Sequence, residues 1–322
     1  MTSNRNVQVH VAAAFALIAM PAVVGSFVLS ELGSYAMILG LIALATMMLA
    51  GYGGIISLAQ ITVAGLAAYT VAILGENSTG VHGYGLPDWV NVPAALIVAV
   101  AFSTIVGAAA ARTRGVYTIM ITLAIAAAFF YFAMQNYSLF NGFSGYAGIR
   151  APEFLATTEG PVRFYYLVLA LAAAAYGIAT YIADTPFGLA MQAIRDNEAR
   201  ARAVGFNVVA HKFALNAFVG LFSGIAGVLL VWFNGRISPG SIGVDTAIDI
   251  LVITMIGGIR HPIGPFIGAV AFVLLKTFAI DLVGAERFNS LIAIVFLLIV
   301  FASPDGLVGL WRRIYVPRAA KG

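Results

Sequence analysis

The chain has 322 residues, of which 61% are hydrophobic and only 9% charged, with a mean hydropathy of +0.98. A soluble domain carries roughly a quarter charged residues, so this composition excludes one and points to a polytopic membrane protein with short loops. The lack of cysteine excludes thiolate metal sites, disulfides and cysteine catalysis, and the formal charge of +4 is the kind that orients spans rather than binds nucleic acid.

Apolar runs near the length that crosses a bilayer, about 20 residues, fall at 9–30, 33–50, 52–74, 92–111, 116–137, 164–183, 213–233, 247–259, 263–281 and 288–303. The first reads as a transmembrane helix, because its apolar core from Val9 to Leu29 is longer than that of a cleaved signal peptide. The run 247–259 is short and ends in Gly257-Gly258, as a half-helix or re-entrant segment would. The expected fold is all-α: one polytopic transmembrane helical bundle over residues 1–322, with about ten spans and discontinuous or re-entrant segments.

Charge orients this map. With both termini cytoplasmic, the inner segments hold Arg5, Arg112, Arg114, Arg195, Arg200, Arg202, Lys212, Arg260, Arg312, Arg313, Arg318 and Lys321. Outer segments hold Arg150, Arg163, Arg236 and Arg287, which satisfies the positive-inside rule. Acidic residues, Glu31 among them, lean to the outer edges. Within spans stand Asp249 and Lys276, each costing about 2.5–3.5 kcal/mol at mid-bilayer, and Lys276 is long enough to snorkel. That is thin equipment for an ion-coupled carrier.

Three polar, glycine-rich stretches interrupt the grease. In 51–70, Gly51, Tyr52, Gly53 and Gly54 precede Ser57, Gln60 and Thr62 on an otherwise apolar helix. Two readings fit: tight packing with satisfied polar groups, or an unwound segment lining a translocation path. The same texture recurs at Tyr117, Thr118 and Thr122, and at 254–268, where Gly257, Gly258, Pro262 and Pro265 rule out a continuous helix. Gly51, Tyr52, Gly54, Ser57, Gln60, Tyr117, Thr122, Gly257 and Gly258 are the candidate path residues.

The one sizeable polar segment runs from Asp184 to Lys212. Thr185 is a candidate N-cap with Pro186 at the first helical position, and Gly205 is a stop signal. Asp196 to Arg200 and Glu198 to Arg202 are acid-then-base pairs four residues apart. Two short helices at the inner surface are expected. Ala193, Ala199, Ala201 and Ala203 give little grip on lipid, and small residues flanked by mixed charges suit insertion into a protein cleft.

TPFGLAMQAIRDNEARARAVGFN, followed by NGRISPGSIGVDTAIDILVITMIGGIRHPIGPFIGA, resembles the permease subunits of branched-chain amino-acid ABC importers, the LivM-type half of the pair. GYGGIISLAQITVAGLAAYT, TRGVYTIMITLA and SPDGLVG match further landmarks in the same order, and the resemblance covers roughly residues 33–310. It implies a cytoplasmic coupling helix that enters a cleft in an ATPase subunit, with Glu198, Ala199 and Gly205 on the family's Glu-Ala-Ala and glycine pattern. Ala193, Arg195, Asp196, Asn197 and Arg202 are its neighbouring contacts, since charges at such an interface set register. Arg200 stands where a second alanine is usual, Gly205 lies one residue late, and Ile55 and Ala67 replace a polar residue and a glycine.

The partners so implied are a second homologous permease, two cytoplasmic ATP-binding subunits, a periplasmic or extracellular substrate-binding protein and membrane lipid, but no nucleic acid. No GxxxxGK[ST] phosphate loop occurs, so ATP and Mg are expected in the ATPase partners, with no cofactor and no catalysis in this chain. The implied location is a bacterial inner membrane and the implied cargo a branched-chain or other hydrophobic amino acid. Urea, amides and aromatic acids are alternative cargoes, and a self-sufficient secondary transporter or channel is the alternative of another class.

Overall fold

The computed structural model describes residues 17–21, 24–113, 115–152, 155 and 161–283, with short stretches among 293–309. Its helices are α1 (Ser26–Tyr52), α2 (Gln60–Leu74), α3 (Asp88–Ala111), α4 (Val116–Gln135), α5 (Pro161–Asp184), α6 (Pro186–Asp196), α7 (Glu198–Ala203), α8 (Val208–Asn234), α9 (Val244–Gly257) and α10 (Gly264–Val283). Six stretches among the described residues are long and apolar enough to cross a membrane: α1, α3, α4, α5, α8 and Pro239–Gly257, where a 3-10 turn leads into α9. Both termini, Arg114 and most of the expected last span lie outside the described residues.

Helix α1 is apolar on every side and almost wholly buried, the signature of a helix at the centre of a bundle. Helices α5, α8, α9 and α10 pack around it, and α8 also lies along α2 and α3. The α8–α2 contact is close: a Cβ at Gly227 on α8 would stand 2.0 Å from the Ala64 carbonyl on α2. Small residues at such crossings let helices approach where lipid supplies no hydrophobic drive. On the periphery α4 exposes Tyr117, Met120, Tyr131 and Phe132, and α5 exposes Ile178 and Tyr181, apolar faces of the kind a membrane-facing helix presents.

Several boundaries differ from the sequence expectation. The break expected near residues 31–32 falls at Gly25, which caps α1 in an extended conformation. Helix α1 then carries Glu31 through a π-helical segment, Leu29–Tyr35, instead of stopping at it. The expected span 52–74 is discontinuous, because helix resumes only at Gln60. Helix α2 has 15 residues, about 22 Å at 1.5 Å per residue, short of a hydrocarbon core of about 30 Å. Val208–Lys212, assigned above to the polar segment, form the first turn of α8, because Asn207 caps that helix. A two-residue antiparallel pair, β1 (Tyr146–Ala147) with β2 (Arg236–Ile237), ties the loop after α4 to the end of α8.

Candidate functional site

The polar segment is built from three successive capped helices. The Thr185 hydroxyl accepts from Gly188 N at 3.3 Å, with Pro186 in the first turn of α6. The Asn197 side chain accepts from Arg200 N at 2.9 Å and opens α7, and Asn207 accepts from Ala210 N at 3.1 Å to open α8. Gly205 (φ +101°) ends α7, with Phe206 N donating to the Ala201 carbonyl at 3.1 Å. Asn197 and Asn207 are both residue types that favour the N-cap position.

One face of α6 is buried through Gly188, Ala190, Met191 and Ile194, which turns the rest of the segment outward. Ala193, Arg195, Asp196, Asn197, Ala199, Arg202 and Gly205 are exposed, while Glu198 is partly buried. Glu198 holds two cations: Arg202 at 2.6 Å and Lys212 at 3.4 Å. The second expected pair, Asp196 with Arg200, gives way to Asp196 with Arg195 at 2.8 Å. Asn197 is the reason, since its extended backbone (φ −157°) interrupts the helix that would have aligned them. Leu189, Val204, Phe206 and Val209 are also exposed, so the outward face carries apolar as well as charged side chains.

The Arg195 guanidinium donates to the Gly51 carbonyl. Its stem lies against Gly54 (φ +64°), where a Cβ would come within 2.8 Å of Arg195 Cγ. Gly51 in turn faces the α9–α10 turn, a Cβ there meeting the Ile259 carbonyl at 2.0 Å. Gly257 closes on Gly264 in that turn, and Gly258 (φ +111°) lies against the Asp305 carbonyl, with Arg260 paired to Asp305 at 3.0 Å. Structure therefore joins Arg195, Gly51, Gly54, Gly257 and Gly258 at one end of the bundle, with the adjacent Tyr52 buried.

Of the remaining path candidates, Ser57, Gln60 and Thr122 are buried. Ser223 donates to Gln60 Oε1 at 2.7 Å, and Thr122 Oγ1 accepts from Leu58 N at 3.2 Å. Ser57 is buried and caps the backbone at Ala59, at 3.3 Å. Gln60 Nε2 and Thr62 Oγ1 are buried without a hydrogen-bond partner. Tyr117 is 73% exposed on α4 and stands apart, its neighbour Thr118 facing inward instead. Replacing Ser223 by alanine should destabilise the protein by about 1–3 kcal/mol, since the Gln60 amide would lose its partner while still buried. Thr70→Ala, which removes only a bond back to Leu66 in the same helix, should change the melting temperature in detergent far less; equal shifts would contradict this account.

A buried apolar helix ringed by others, short discontinuous helices and a capped polar segment at one end define a multi-pass helical membrane protein. The chain belongs to the family described as branched-chain amino acid transport system / permease component, whose model matches residues 28–302. It is similar to the high-affinity branched-chain amino acid transport system permease protein LivM of Salmonella typhimurium, at 25% identity over 84% of this chain, and to that of Escherichia coli at 26% over 84%. The chain spans 66% of the length of each. It is also similar to the ribose import permease protein RbsC of Haemophilus influenzae, at 23% identity over 74% of this chain and 75% of that protein. No solved structure matches it.

Proposed function

We propose that the chain is a permease subunit of an ATP-driven ABC importer for branched-chain amino acids in a bacterial inner membrane. It forms the translocation path with a second homologous permease. One of two cytoplasmic ATPase subunits grips α6 and α7, and a substrate-binding protein delivers cargo at the opposite end. ATP and Mg belong to the ATPase partners.

The observation that carries this reading is the bond from Arg195 to the Gly51 carbonyl. A segment displayed at one end of the bundle is thereby tied to the point where α1 stops and the chain unwinds before α2. Movement of α6 and α7 under an ATPase is transmitted straight to that break, with no charge relay through the spans. Met191, beneath Gly53, adds an apolar contact to the same lever.

The test is uptake into proteoliposomes holding this chain with its permease, ATPase and binding-protein partners. Radiolabelled leucine should accumulate only with internal or cytoplasmic-side ATP, and excess isoleucine or valine should compete where urea, ribose and benzoate do not. Leucine uptake by vesicles containing this chain alone, without ATP, would sink the reading.

A further inference from the structure

At the end of α8 remote from α6 and α7 lies a cavity of about 310 Å³ between α1, α8 and α10. The two ends are far apart: α8 has 27 residues, about 40 Å. Glu31 and Lys276 both line the cavity, together with Tyr35, Phe233 and Val273. No ion pair closes Glu31 onto Lys276 among the described residues. An acid and a base thus line one small cavity without forming an ion pair with each other.

Ionisable groups within apolar helices are expensive and persist where they are paired or bind something. The backbone here is also unusual, because Glu31 and Tyr35 sit in the π-helical segment of α1. Such wide turns re-aim side chains and recur at functional sites. Tyr35 and Phe233 stack at 5.6 Å between centroids to form an aromatic wall. Asp249 on α9 lies within electrostatic reach of both Lys276 and Tyr35, though it is not itself part of the cavity lining. The volume is at the lower limit of pockets that hold small ligands, about 300–1,000 Å³.

We propose that this cavity is a transit site for a zwitterionic α-amino acid. Glu31 accepts from the ligand's ammonium, Lys276 donates to its carboxylate, and an aliphatic side chain packs on Tyr35, Phe233 and Val273. The pairing selects the zwitterion over a plain amine or a plain acid, because each of those leaves one of the two lining charges without its ligand group in a partly buried site. It rests on the importer reading only for the amino-acid class of cargo; the chamber's charges stand without it.

The test measures leucine binding to the detergent-purified transporter, without its binding protein, by saturation-transfer NMR titration, beside the uptake assay above. Leucinamide lacks the carboxylate and 4-methylpentanoate lacks the ammonium, and each should bind the wild type about tenfold more weakly than leucine, the worth of one charge-assisted hydrogen bond. Lys276→Gln should erase the difference between leucine and leucinamide, and Glu31→Gln that between leucine and 4-methylpentanoate. Val273→Phe, which fills the chamber and leaves both charges in place, should weaken leucine binding and slow uptake while ATPase activity shows an intact complex. A transporter that imports leucine with ATP yet keeps wild-type discrimination in the two charge variants, or wild-type binding in Val273→Phe, overturns the transit site and leaves the importer reading standing. Loss of ATP-driven import in the wild type with the discrimination pattern intact has the opposite meaning.

Discussion

Gly51→Ala is expected to abolish transport and lower the melting temperature, whereas Gly177→Ala leaves transport intact and raises the melting temperature slightly. A Cβ at Gly51 would stand 2.0 Å from the Ile259 carbonyl, and neither side has room to yield. Helix α1 is buried nearly throughout, and the turn that carries Ile259 is itself closed, a Cβ at Gly257 lying 1.9 Å from the Gly264 carbonyl. Overpacking a full site costs about 1–3 kcal/mol and sometimes more. Alanine's better helix propensity returns only about 1 kcal/mol, so the clash decides the sign. Gly177 lies in α5 with nothing within 4 Å of its added methyl, so alanine there should stabilise by about 0.5–1 kcal/mol. Melting curves of both variants in one detergent, with ATP-driven uptake alongside, make the comparison. Equal behaviour of the two would remove the α1 to α9–α10 contact from the mechanism.

That contact shows how far the sequence could be read. The glycines at 51, 53 and 54 fitted either close packing or a break, and Gly257-Gly258 marked a helix end, because local backbone chemistry leaves local marks. That the two breaks touch, and that Arg195 reaches Gly51 across 144 positions, is written in no short window. Charge misled in two places for different reasons. Glu31 suggested an outer helix end, but a π-helical segment absorbed it and turned it towards a cavity. Asp196 and Arg200 had helical spacing, but Asn197 took the stronger option of capping α7. Thr185, Pro186 and Gly205 gave the two short helices correctly, since caps and stops act within a turn. The six candidate spans follow from length and hydropathy, while sidedness turns on segments that include the termini.

Glu198→Ala is expected to reduce uptake and stability much more than Arg202→Ala, although both break the same 2.6 Å pair. Arg202 has a side chain 52% exposed, so its removal costs the roughly 0–1 kcal/mol of a surface ion pair. Removing Glu198 also strips the carboxylate 3.4 Å from Lys212, whose side chain is 7% exposed. Leaving one member of a buried pair unpartnered costs about 3–5 kcal/mol, and the cost falls where α7 is joined to the first turn of α8. The double variant Glu198→Ala, Lys212→Met separates folding from docking, because an apolar replacement for the stranded ammonium is often neutral or stabilising. It should recover most of the melting temperature while uptake stays low, since the side chain proposed to meet the ATPase is still missing. Recovery of uptake together with stability would reduce Glu198 to a structural anchor, and Arg195, Asn197 and the exposed Leu189, Val204 and Phe206 would then carry the docking contact.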